Sequence, residues 1–152
     1  MNTNQQLSKI FNLFHDGAIE SYRESSETLI LKIECTYLAN LLNQNFNFFI
    51  LELKNISIIE FDIFNQSNSS IIKKSNDIHE IFSAEIQIFS SEIINGIVNV
   101  NCWQINDLKG YCGNNLKIVS ENIQLYDEEM NNITIEDLSI ISDNYWNNFH
   151  KA

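Results

Sequence analysis

The sequence predicts an α+β fold, with an antiparallel β-sheet of about seven to eight strands, an N-terminal helix and a C-terminal helix. Two observations carry that prediction. Apolar residues between Leu29 and Leu125 recur mostly with period two, whereas those at the two ends of the chain recur at helical spacing. Many alternating runs also follow one another directly, which favours an antiparallel meander over parallel strands joined by crossover helices. The 152 residues suit one domain, 1–152, with room for a core, and 44% hydrophobic content makes the chain globular. With no proline and four glycines, the elements are expected to join through Asn and Ser turns.

Taken in order, Thr3-Asn4-Gln5-Gln6 fits a capping box, and Leu7, Ile10, Phe11 and Phe14 then make residues 4 to 15 an amphipathic helix. Gly17 is the stop signal, expected to take the left-handed cap. Leu29, Leu31 and Ile33 alternate with Lys32 and Glu34. Phe49, Leu51 and Leu53 repeat the pattern, as do Ile59, Phe61 and Ile63, and then Phe82, Ala84, Ile86 and Ile88. Residues 65 to 77 are expected to form a flexible loop. Asn95-Gly96 is the best hairpin signal, since both residues tolerate the positive φ of a type I′ turn, and Val98, Val100 and Cys102 follow it. Leu116 and Ile118 are out of phase with Ile123 and Leu125, so a bulge or break is expected near Ser120 to Asn122. Thr134 and Asp137 resemble a capping box, and Leu138, Ile141, Tyr145 and Phe149 form the stripe of the closing helix. Ile30, Phe48, Ile50, Ile56, Ile58 and Trp103 give several strands a second apolar face. The helices are expected to cover part of it, and a second subunit is the alternative.

Composition also narrows function. The net charge is −11, from 20 acids and 9 bases, and no basic cluster exceeds Lys73-Lys74. Such a surface repels phosphate backbones, so no nucleic-acid partner is expected, whereas a basic protein would be attracted. The longest apolar runs, such as Phe48 to Leu51, are too short to span a membrane. Cys35, Cys102 and Cys112 are odd in number and lack C-x-x-C spacing, and the chain has no leader-like start. Reduced thiols in a cytoplasmic protein are the expectation, with a Cys102–Cys112 bridge the alternative in an oxidising compartment. The abundance of Ile and Asn, whose codons are AT-rich, suggests a bacterial source.

No G-x-S-x-G elbow, Gly-rich phosphate loop or H-x-x-x-H pair occurs, so neither a catalytic triad, a cofactor nor a metal is expected. Asp127-Glu128-Glu129 lacks the alternation of a calcium loop and is read as an exposed connection. Glu60 and Asp62 lie about 7 Å apart on one strand face, a spacing that a solvated face explains without catalysis. Tyr111 is singled out because Gly110-Tyr111-Cys112-Gly113 gathers half of the glycines with an aromatic ring and a thiol. His15 and Asp16 have two readings: His15 complements a helix dipole while Asp16 ties the turn by accepting backbone amides, or the two form a polarised pair at a cleft.

Phe14, His15, Asp16, Gly17 and Ile19, with weaker support from Leu53, Asn55, Ile56 and Phe61, carry a resemblance over residues 11 to 64. The chain resembles small bacterial strand-rich proteins that open with an F-H-D-[AG] motif, some of them described as immunity proteins of polymorphic toxin systems. The resemblance implies a non-enzymatic protein that neutralises a toxin by occlusion, and it assigns no catalytic role to His15 or Asp16. The expected function is therefore a small acidic cytoplasmic protein-binding protein with a basic toxin as partner. The alternatives are a small-ligand binder or enzyme with a cleft near His15, Asp16 and Tyr111, and a structural subunit that forms a homo-oligomer through the second sheet face.

Overall fold

The computed structural model describes residues 1–68 and 70–151, the last two of these by backbone alone. The elements run α1 (Thr3–Leu13), β1 (Ala18–Ser25), β2 (Thr28–Glu34), α2 (Thr36–Leu42), β3 (Phe48–Asn65), β4 (Ile71–Ser75), α3 (Ile78–Ile81), β5 (Ile86–Ile94), β6 (Ile97–Asn106), β7 (Tyr111–Tyr126) and α4 (Ile135–Lys151). The fold is α+β, and the seven strands among the described residues form one wholly antiparallel sheet in the order β2-β1-β5-β6-β7-β3-β4.

A further pairing of β2 with β3 joins strands far apart in that order. It closes six strands into a barrel and leaves β4 as an added edge on β3. The strands are steeply tilted. Stepping across pairs from Phe48 leads through Glu34, Ala18 and Gln87 to Trp103. From the adjacent Gln104 the path continues through Gly113 and re-enters β3 at Ile63, not at Phe48. Closure with so large a stagger needs long strands. β3 and β7 meet that need with 18 and 16 residues, and both of the expected Phe49–Leu53 and Ile59–Ile63 runs belong to β3.

The interior takes one alternate set of side chains from each strand. Leu29, Leu31, Leu51, Leu53, Phe61, Ile86, Val100, Leu116 and Ile118 are all fully buried there. β1 pairs with β5 only at Ala18–Ile19, so the rest of that β5 edge needs another partner for its backbone groups. α1 supplies one. The Asn12 side chain donates to Ser91 O at 2.9 Å and accepts from Ser91 N at 2.7 Å, and Leu7, Ile10, Phe11 and Phe14 press into the core. At the opposite end Gln104, itself buried, donates to the Ile81 and Ala84 carbonyls and fastens α3 to β6.

Several local expectations are corrected. The N-cap of α1 is Asn2, one residue earlier than Thr3, with Gln5 completing the box. The expected loop 65–77 contains β4, an edge strand of Ile, Lys and Ser; Ser69 lies outside the described residues. The run Phe82 to Ile88 is a strand only from Ile86, because Phe82 caps α3 and Ser83 to Glu85 form the link. The second apolar face receives little helix cover: α1 packs on β5, β6 and β7, α4 packs on α1 and α2, and α2 makes a small contact with β3. Ile30, Phe48 and Ile50 are instead half-buried by strand neighbours, with the Lys32 ammonium 4.4 Å from the Phe48 ring centroid.

Other expectations hold. Asn95 and Gly96 have φ of 52° and 77°, as the type I′ turn demands. The phase break near Ser120 is real. The β3–β7 register shifts between Ile56 and Ile58, beside a left-handed Asn55, and Ser120 Oγ bridges the break by donating to Lys54 O at 2.9 Å. Thr134 caps α4 by accepting from Asp137 N at 3.0 Å.

Candidate functional site

His15 and Asp16 lie where α1 gives way to β1. The left-handed residue is Asp16, with φ 66°, and not Gly17. A short polar side chain tolerates that conformation. Gly17 is required for a different reason: a Cβ there would lie 2.7 Å from Glu34 O and 2.9 Å from Phe14 O, both backbone atoms. Asp16 ties the joint through its main chain, donating from N to Ile88 O at 2.9 Å, while its carboxylate faces His15 Nδ1 at 3.4 Å. The expected Asp16 side-chain bonds to turn amides are thus replaced by a backbone tie to β5. His15 is the residue after the C-cap Phe14 and not, as expected, in the last turn of α1.

What the His15 ring meets is aromatic. Its centroid is 5.1 Å from that of Trp146 and 6.0 Å from that of Tyr37. Tyr37 lies 4.9 Å from Tyr145, Tyr145 lies 5.1 Å from Trp146, and Trp146 lies 5.6 Å from Phe149. Helical spacing builds this shelf: Tyr37 opens α2, with Leu41 one turn on, and Tyr145 and Phe149 are one turn apart on α4. The Tyr37 hydroxyl donates to His15 O at 2.9 Å and so fixes α2 against the α1–β1 joint.

Between α2 and α4 runs a groove of about 520 Å³, lined by Leu41, Ile141, Asn144, Tyr145, Asn148 and Phe149. Beyond Ile141 it continues as a second hollow that adds Leu42, Ile140, Asp137 and Asp127. Asp127 is buried, its carboxylate accepting from Glu129 N, Asn131 N and Asn131 Nδ2, so the expected exposed connection at Asp127-Glu128-Glu129 is exposed only at Glu129. Phe149 is 61% exposed, Ile140 58% and Leu41 49%. α4 therefore outruns the barrel, and its stripe, buried at Leu138, ends in solvent at Phe149. Grouped apolar exposure of this kind marks interaction surfaces.

The Cys35 thiol and the Tyr37 phenol beside the shelf are protonated. Burial pushes the Cys35 thiol up to about 12, partly offset by a backbone hydrogen bond at Leu38, and burial likewise raises the Tyr37 phenol well above its ordinary value. Neither offers an anionic nucleophile near neutral pH. Cys102 and Cys112 are free and buried, so the Cys102–Cys112 bridge is not formed.

Tyr111 belongs to another part of the molecule. It is buried at the start of β7, with its hydroxyl 3.1 Å from Ser83 Oγ and 3.4 Å from Asn106 Nδ2. The fold thus brings His15 and Asp16 together and sets Tyr111 in a separate network that holds the β6–β7 turn to the α3–β5 link. Glu60, on the outer face, lies within 3.7 Å of Lys74 Nζ and 3.5 Å of Lys117 Nζ.

Two features escaped sequence reasoning. Tyr22 OH is hydrogen-bonded to His79 Nδ1, and His79 Nε2 lies 3.5 Å from Glu24. Glu24 in turn borders a cleft of about 540 Å³ at the barrel mouth, with Glu27, Asn55 and Glu121. The other is the aromatic shelf, assembled from residues more than a hundred positions apart. No local spacing announces either one. Among the described residues no group of His, Cys, Asp or Glu has the makings of a metal site, and the side chain of His150 lies outside the described residues. No helix among them is long and apolar enough to cross a membrane. The chain matches no family model, no curated protein and no solved structure.

Proposed function

We propose that this chain is a small acidic protein-binding protein of the immunity type, which neutralises a basic toxin by occluding it in the cytoplasm. The observation that carries this reading is the exposed apolar and aromatic strip on α2 and α4 of a chain with net charge −11. Aromatic rings give anchor energy at protein interfaces, and surface acids steer a basic partner to them. The F-H-D-G resemblance supports the same reading. In the fold this motif is the joint on which α2 and the shelf rest, a structural role that asks no catalysis of His15.

The test is complex formation with the product of the gene adjacent to this one, followed by light scattering coupled to gel filtration, and growth of cells that express that product with and without this chain. A one-to-one complex and restored growth are expected. A neighbouring product that neither binds nor harms cells would remove the immunity reading.

A further inference from the structure

We propose that the groove between α2 and α4 seats an amphipathic helix of the partner protein, one with an apolar stripe flanked by Lys and Arg. The inference rests on the protein-binding reading and names its docking surface and the chemistry that fills it. The seat is concave and lies between two helices, which suits a helix laid into a groove rather than a strand added to a sheet edge. From Ile141 to Phe149 the groove face of α4 spans eight residue steps, about 12 Å at the helical rise. That length takes side chains at i, i+3 or i+4, and i+7 of an incoming helix.

Charge selects the flanks. The sequence has no Lys or Arg between Lys32 and Lys54, the segment that supplies α2, and none between Lys117 and Lys151, the segment that leads into and forms α4. The second segment carries Glu121, Asp127, Glu128, Glu129, Glu136, Asp137 and Asp143. Asp137, exposed, borders the groove at its Leu42 end, and the exposed carboxylate of Asp16 stands beside His15 at the aromatic end. A second copy of this chain would bring the same acids to the same place and be repelled. A helix rimmed with cations meets a carboxylate at both ends.

The test uses the full chain carrying Trp103→Phe, which leaves Trp146 in the shelf as the one tryptophan. Two synthetic helices are titrated against its emission: one with Leu at i, i+4, i+7 and i+11 and Lys elsewhere, and an analogue with Glu in place of Lys. Saturable binding of the Lys helix is expected, at least tenfold tighter than the Glu analogue, weakened by salt, and weakened tenfold or more by Leu41→Ser with Phe149→Ser. Both replaced residues are exposed, and an unchanged thermal melt verifies that the variant is folded. Absence of saturation, equal binding of the Glu analogue, indifference to the two substitutions, or a wild-type homodimer abolished by Phe149→Ser would each overturn the proposal. The two readings fail separately. If the adjacent-gene product binds the double variant as well as wild type, the groove is wrong and the protein-binding reading stands. If the Lys helix binds as expected while the adjacent-gene product does not, the groove stands and the immunity reading falls.

Discussion

Gly17 and Gly113 are held by what they touch, not by a left-handed backbone. A Cβ on Gly17 would strike two backbone oxygens, and one on Gly113 would sit 2.1 Å from a ring carbon of the fully buried Phe61. Neither neighbour can swing aside, so Gly17→Ala and Gly113→Ala are each expected to cost about 1–3 kcal/mol in a denaturant titration, as overpacked cores do. The thiols give a second residue-scale expectation. An exposed thiol in the unfolded chain ionises near 9, while Cys35 and Cys102 are pushed up to about 12 by burial. The protonated thiol is the form the fold favours. Their contribution to stability is therefore complete below about pH 9 and is lost as the pH rises from there toward 12. Denaturation midpoints measured from pH 8 to 11 should fall, and a thiol reagent at pH 8 should find the two cysteines inert until the chain unfolds. At this scale the sequence exposed the joint but not its division of labour. That Asp16 turns left-handed while Gly17 yields space depends on Glu34, a neighbour brought close only by folding.

At the scale of elements, periodicity was a sound guide wherever an element buries one face, and a poor one where it does not. β2, β6 and α4 are legible because one face of each meets the core. β4 resembles a loop in the sequence because it is a short edge strand whose Ile71 and Ile72 are exposed, so its pattern encodes no core face. The Phe82–Ala84–Ile86–Ile88 alternation misled because Phe82 packs on Tyr22 from the end of α3 and not from a strand. Caps are short-range and were found to within a residue. Thr134→Ala should destabilise the chain by about 1 kcal/mol through loss of the α4 cap. Asn12→Ala removes both bonds to Ser91 and should cost about 1–2 kcal/mol, with faster amide exchange at Ser91 as its local signature.

For the molecule as a whole, closure of the barrel was not legible. Alternation says that a strand has two faces, but the β2–β3 pairing that joins the ends of the sheet depends on a stagger accumulated over six strands. The shelf was hidden for a like reason, since Tyr37 and Trp146 meet only because α4 returns across α1 to α2. Net charge, by contrast, is a property of composition, and it frames the expectation about partners. Binding of a basic protein should weaken as salt is raised from low to physiological strength, mainly through a slower association rate. The most direct test of binding through α2 and α4 is amide hydrogen exchange of this chain alone and in complex with the adjacent-gene product. Slowed exchange in Thr36–Leu42 and along α4 up to Phe149, with the β1–β2 turn unchanged, is the expected result. Protection confined to the barrel mouth around Glu24, Glu27 and Glu121, or no protection at saturating partner, would contradict it.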